Sequence, residues 1–156
     1  MSRCTPNFIL GSNYKGDKDL IISYMLGLCR YAPYYNKERF SDIINYDLKP
    51  PLLHEQWLMM FQDGKPIGMA TWAMLAQDRL DNIFSTMRPL ALDDWASGPY
   101  VYCNDYIALT NVKNMITYMR TEVFPTTIGY ARKINKNLVP FRISKWRGID
   151  ALQQSV

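Results

Sequence analysis

The strongest constraint on how this chain folds is Asp63-Gly64, set between two apolar runs, Gln56–Gln62 and Pro66–Trp72. Asp-Gly readily takes the left-handed backbone of a two-residue turn, so the runs are predicted to fold back on each other as an antiparallel hairpin. Two apolar strands need more sheet and a covering layer. A chain of 156 residues with 48% hydrophobic content is long enough to supply both within one domain, taken here as residues 1–156. Eleven Tyr, nine Met, six Phe and four Trp exclude a disordered polypeptide, because that much aromatic and thioether surface has to be buried.

Helical periodicity places the other layer. Leu20, Ile21, Tyr24, Met25 and Leu28 recur at helical spacing within Asp17–Arg30, and Pro33 closes that helix. A second short helix is expected over Arg39–Leu48, on a face of Phe40, Ile43, Ile44 and Asp47, stopped by Pro50-Pro51. Arg79–Ser85 reads as a helical turn or a loop, and Tyr100–Leu109 as a third strand. Asn111 is the expected cap of a helix carrying Val112, Met115, Ile116, Met119 and Val123, ended by Pro125. Strands are expected again at Ile128–Ile134 and Val139–Trp146. The order helix, helix, three strands, helix, two strands is α+β, without the strict alternation of a doubly wound sheet.

Charge is unevenly spread. Residues 1–131 hold twelve Lys or Arg against thirteen Asp or Glu, whereas 132–147 carry Arg132, Lys133, Lys136, Arg142, Lys145 and Arg147 with no acid. Such a patch suits an anionic partner, although a solvated strand pair carries similar runs. Nucleic acid is not the expected partner, since no recognition helix or RNP-like aromatic motif accompanies the patch. Cys4, Cys29 and Cys103 form no CxxC pair and their number is odd, which fits reduced thiols. His54 is the single histidine, so no zinc site is expected, and no GxSxG, Walker loop or GxGxxG is present. Leu20–Cys29 is half the ~20 residues of a membrane span, and Met1–Asn7 lack signal-peptide features, so an unexported soluble chain is expected.

Residues 57–148 resemble the toxin-activating lysine acyltransferases, bacterial cytoplasmic proteins that attach fatty acyl groups to internal lysines of RTX-type protoxins. The segments that carry the resemblance are Asp63-Gly64-Lys65-Pro66-Ile67-Gly68 running into Ala70-Thr71-Trp72-Ala73-Met74-Leu75, then Asp93-Asp94-Trp95-Ala96-Ser97-Gly98, Asp105-Tyr106-Ile107-Ala108, Tyr118-Met119-Arg120 and Phe124-Pro125. Each is short, but their shared order over about sixty percent of the chain is specific. The resemblance implies a fold like the GCN5-related N-acetyltransferases, a mixed and mostly antiparallel sheet flanked by helices. It also implies acyl-acyl carrier protein as donor, a lysine of a large secreted toxin (an RTX haemolysin or a contact-dependent inhibition effector) as acceptor, a homodimer and a cytoplasmic location. No permanently bound cofactor is implied.

The family's essential pair is a histidine shortly after the first helix and the Asp of the Asp-aromatic-Ile-Ala motif. Asp105 matches the second. At the histidine position this sequence has Tyr35, with Tyr34 one place off. Four readings stay open: Tyr35 or Tyr34 acts as the acid for the departing thiolate, His54 folds back into the site, the site is degenerate and the fold serves as a toxin-binding chaperone, or the position has been substituted. The first is preferred, because a phenol can protonate a thiolate while Asp105 accepts or orients the lysine's protons. Ser97 and Gly98 are expected to offer backbone N–H groups to an oxyanion or phosphate, or to form a simple turn. Trp72 is expected to build the core or line the acyl path, and Arg120, Arg132, Lys133, Arg142 and Lys145 to hold the acidic carrier or its phosphopantetheine phosphate.

Overall fold

In the computed structural model, which describes residues 5–134, 137 and 140–151, six strands form one sheet in sequential order, β1 to β6. Cys4, Lys136 and Val139, named above, lie outside the described residues. The hairpin forms as predicted: β2 (Trp57–Gln62) and β3 (Lys65–Leu75) pair antiparallel around Asp63 and Gly64, both at positive φ. β3 outruns its expected end by three residues, because Ala73, Met74 and Leu75 continue pairing with β4 (Tyr100–Ala108).

One strand escapes the sequence reading. Asn7–Leu10 forms β1 and pairs with the far side of β2. Four residues are too few for a periodic signal, and this segment is a strand because β2 offers it a ladder. β5 (Ile128–Ile134) and β6 (Pro140–Arg147) form a second antiparallel pair, and β5 joins β4 in parallel, over Val101–Cys103 and Gly129–Ala131.

The first helix, α1 (Lys18–Cys29), is capped by Asp17, whose Oδ1 accepts from the Asp19 N–H at 2.8 Å, and it buries Ile21, Met25, Leu28 and Cys29. The second helical run differs from expectation. It is α2 (Phe40–Asp42), a π-helical stretch over Ile43–Leu48, and α3 (Lys49–Leu53), so Pro50 and Pro51 do not end it. They occupy the first turn of α3, where the N–H that proline lacks is least needed. Gln77–Thr86 is a full helix, α4, with Leu80 and Ile83 inward. α5 (Val112–Tyr118) starts without the expected side-chain cap: Asn111 is left-handed, and its Nδ2 donates to Gln62 Oε1 instead. A π-helical turn, Met119–Val123, completes it.

Three apolar groups hold the layers together. α1 and the 43–52 segment cover one face of β2 and β3 through Leu28, Leu48, Met59 and Met69. Met115 and Met119 of the 112–123 segment cover the other through Leu58, Met60 and Trp72. Trp95 and α4 close the end of β3 and β4 with Leu75 and Tyr102. No helix among the described residues is long and apolar enough to cross a membrane.

Candidate active site

The site is built on an irregularity in β4. Thr71 of β3 faces Asp105 and the next residue, Trp72, faces Cys103, so Asn104 is an extra residue with no partner on β3. A bulge of this kind re-aims the side chains around it. Asn104 and Asp105 thereby line one cavity, and Cys103 and Tyr106 line a separate groove.

Asp105 is 1% exposed. Its backbone N–H donates to Thr71 Oγ1 at 3.2 Å, while the Tyr34 hydroxyl donates to Oδ1 and the Tyr35 hydroxyl to Oδ2, both at 2.6 Å. The tyrosines arrive together on the 3-10 turn Pro33–Tyr35 that follows α1, started by a proline with fixed φ. Their rings are tilted by 53° at 4.6 Å, which lets consecutive residues reach opposite oxygens of one carboxylate. Burial pushes the Asp105 carboxyl up to about 6; the two phenols and Arg132 favour its charged form, and nearby Asp47 opposes it. Burial and the Asp105 charge drive both phenols well above the ordinary tyrosine range, so they stay protonated.

The cavity over this cluster has a volume of about 810 Å³. Glu38, Asp42, Tyr46 and Asp47 form one wall, Pro89–Asp93 another, and Arg132 and Ile134 of β5 a third. The 89–93 wall is fixed from behind by Asp94, 1% exposed, which accepts from Arg88 Nη1 at 2.7 Å, Arg79 Nη1 at 3.0 Å and the Ala91 N–H at 2.7 Å. Asp47, on the π-helical stretch, accepts from Asn104 Nδ2 at 3.1 Å, and burial raises its carboxyl as well. The sequence reading did not assign Asp47 or Asn104 to the site. Its one signal was an acid among the apolar positions of a helix face.

The groove on the other side of β4 holds about 370 Å³ and lies where β5 parts from β4, beyond the paired Cys103 and Ala131. Ile116, Met119 and Trp146 line it, with Arg120, Arg132 and Lys133 beside them, and the buried indole N–H of Trp146 meets no acceptor there. Trp146 packs across Gly129, where a Cβ would stand 1.9 Å from the ring. Burial, aided by Asp105, pushes the Cys103 thiol up to about 12, so it does not serve as a thiolate.

The predicted site residues therefore divide. Asp105, Tyr34 and Tyr35 meet. Arg132 lines both cavities, Lys133 and Arg120 line the groove, and Arg120 Nε donates to the Arg147 carbonyl at 2.6 Å. Lys133 stands directly across from Arg142 and Tyr130 from Lys145, so these cations share the β5–β6 ribbon. Ser97 and Gly98 are a correction: both N–H groups donate to the Met74 carbonyl, at 2.8 and 3.1 Å, and so are not free for an oxyanion. Trp72 takes the core role of its two expected ones and not the acyl path, since it is buried edge-on to Phe124 and lines neither cavity. His54 is exposed at the end of α3 and does not enter the site.

The architecture is that of the GCN5-related N-acetyltransferase-like folds. The loading GNATL domain of CurA from Lyngbya majuscula superposes with a TM-score of 0.57, covering 85% of this chain and 67% of that one at 11% identity. The sequence narrows this further. The profile of the RTX toxin acyltransferase family (HlyC) matches residues 19–147, and the chain belongs to that family. It is 28% identical over 85 residues to the RTX-II toxin-activating lysine-acyltransferase ApxIIC of Actinobacillus pleuropneumoniae, spanning 54% of this chain and 53% of that protein. It is 21% identical over 128 residues to the leukotoxin-activating lysine-acyltransferase LtxC of Aggregatibacter actinomycetemcomitans, spanning 82% and 76%. The match to the protein-lysine myristoyltransferase RtxC of Kingella kingae is 25% over 104 residues, spanning 65% and 62%.

Proposed function

We propose that this chain is a protein-lysine acyltransferase that moves a fatty acyl group from acyl carrier protein to internal lysines of a large secreted bacterial toxin. The toxin is an RTX haemolysin or a contact-dependent inhibition effector, activated in the bacterial cytoplasm. The observation that carries the reading is the closure of two phenols on the buried Asp105 carboxylate at the floor of an open cavity. Membership of the toxin acyltransferase family supports it.

The chemistry follows from the protons. An acceptor ammonium must lose one proton before it attacks and a second as the C–N bond forms, while the leaving sulfur must gain one. Asp105 is buried behind the two phenols that donate to it, so the second proton passes from nitrogen to a tyrosine oxygen as that phenol's own proton moves onto Asp105. The C–S bond breaks, and the sulfur takes a proton back from the phenol as Asp105 returns its own. The high proton affinity of both phenols suits this, because no free tyrosinate has to form.

The groove beside Arg120, Arg132 and Lys133 suits the phosphopantetheine arm. Cations receive its phosphate and apolar walls its chain. Arg142 and Lys145 on the same ribbon suit an acidic carrier protein. A homodimer is supported by the apolar residues Val112 and Ile116, left exposed on α5. Tyr35, at the position where the family resemblance implies a histidine, favours a second reading, a catalytically degenerate member that binds its toxin as a chaperone.

Mass spectrometry of the large toxin encoded beside this gene, produced with and without this protein in cells supplying acyl carrier protein, separates the two. Lysines gaining a fatty-acyl mass only in its presence establish the transferase. An unmodified toxin in a stable complex with the chain establishes the chaperone.

A further inference from the structure

The acyltransferase reading leaves one proton without a destination. The acceptor ammonium must be deprotonated before it attacks, and Asp105, 1% exposed behind Tyr34 and Tyr35 on its two oxygens, serves the second proton through those phenols. A second carboxylate stands in the same cavity. Asp47 lines it from the π-helical stretch Ile43–Leu48, and Asn104, the bulged residue of β4, fixes it by donating from Nδ2 to Oδ1 at 3.1 Å. The bulge thus presents Asp105 and, one residue earlier, the side chain that orients Asp47.

We propose that Asp47 is the group that takes the first proton from the acceptor lysine's ammonium, leaving the second to Tyr34, Tyr35 and Asp105. The proposal rests on the acyltransferase reading and gives that site a base of its own. The step balances: the Asp47 carboxylate and the ammonium become a carboxylic acid and a free amine, and solvent takes the proton from Asp47 between turnovers. The surroundings favour it. Five carboxylates line the cavity, those of Glu38, Asp42, Asp47, Asp93 and Asp105, against the Arg132 guanidinium, which draws in a cationic side chain. The groups acting on Asp47 come from four elements: Cys29 of α1, Tyr34, Tyr35 and Glu38 of the following turn, Asn104 and Asp105 of β4, and Arg132 of β5. Burial raises the Asp47 carboxyl and Glu38 adds to this, while Asn104, Tyr35 and Arg132 favour its charged form.

The test uses the full chain, myristoyl-acyl carrier protein as donor and two acceptor peptides, one with lysine and one with S-aminoethylcysteine, whose amine is more acidic. Asp47→Asn should slow transfer to lysine about 10²-fold near pH 7, with the deficit shrinking toward about pH 9.5 as lysine sheds its own proton, and smaller for the aminoethylcysteine peptide. Asn104→Ala, which keeps the carboxylate but frees it, should show a weaker loss of the same shape. Asp105→Asn should be inactive at every pH. An Asp47→Asn loss that is the same at all pH values and for both amines, or no loss at all, overturns the role of Asp47 while leaving the acyltransferase reading in place. Failure of the unaltered chain to acylate either peptide overturns both.

Discussion

The Tyr35 hydroxyl and the Asp105 carboxylate meet at 2.6 Å although seventy positions separate them in the chain. Their meeting depends on two local departures from regular structure, the bulge in β4 and the 3-10 turn after α1, whose Tyr35 packs into the apolar group that α1 and the 43–52 segment form on that face of the sheet. The Tyr35 phenol donating to the buried Asp105 carboxylate stands at the position where the family resemblance implies a histidine.

Removing the carboxylate should therefore abolish acyl transfer. Asp105→Ala is expected to lose more than 10³-fold in rate with an unchanged far-UV circular dichroism spectrum, and Tyr35→Phe about 10²-fold. Since both phenols serve one carboxylate, the Tyr34→Phe/Tyr35→Phe double variant should lose less than the product of the single losses. Full activity of Asp105→Ala would remove the assignment.

Asp105 should also make stability depend on pH. Its folded value of about 6 lies above the unfolded value, so the folded state binds the proton more tightly and stability falls as pH rises through that interval. The effect, at most about 3 kcal/mol, is complete above the folded value and absent below the unfolded one. Urea unfolding of the wild type and Asp105→Asn should show the variant gaining on the wild type from about pH 4 to about pH 6, with a constant difference beyond.

Asp94 should behave oppositely. Burial pushes its carboxyl up, but Arg88, the Ala91 N–H and Arg79 outweigh this and hold it below the usual carboxylate range, so its contribution is present above the unfolded value and lost as pH falls through the folded one. Asp94→Ala should cost about 2 kcal/mol of stability at neutral pH by orphaning those donors. It should also loosen the 89–93 wall, read as increased proteolysis between Arg88 and Asp93. Equal protease sensitivity in both proteins would show that the wall stands without it.

Gly98 has a packing role that a substitution should reveal. A Cβ there would lie 2.4 Å from Ala76 Cα and 2.5 Å from its nitrogen, both backbone atoms with little room to move. Gly98→Ala should lower the melting temperature by several degrees, while the KM for the acyl donor, measured on the folded fraction, stays unchanged. A raised KM with unaltered stability would return Gly98 to the donor site.

The basic ribbon predicts a dependence on salt. Arg132→Ala and Lys133→Ala should each raise the KM for acyl-acyl carrier protein several-fold at low ionic strength, with the penalty shrinking as salt screens the encounter. Arg132→Ala should have the larger effect, because that side chain lines both cavities. Steady-state kinetics at two salt concentrations would decide it.

What the sequence determined by itself was whatever neighbouring residues encode. Asp63-Gly64 set the hairpin, the spacing of Val112, Met115, Ile116 and Met119 set the helix under the sheet, and the motif around Asp105 marked one site residue. The tertiary structure decided the rest. β1 exists because β2 has a free side, Pro50 and Pro51 sit within a helical run because a first turn tolerates them, and Ser97-Gly98 spend their N–H groups on Met74 because β3 runs on to meet them. Asp47, Asn104 and Asp105 form one site because a bulge puts an extra residue into β4, and because α1 and the π-helical stretch pack on the face toward which it turns. Local patterns fix the elements that carry their own periodicity or turn; only long-range packing brings a phenol near residue 35 and carboxylates at 47 and 105 into one cavity, since burial, not proximity in the chain, selects those contacts.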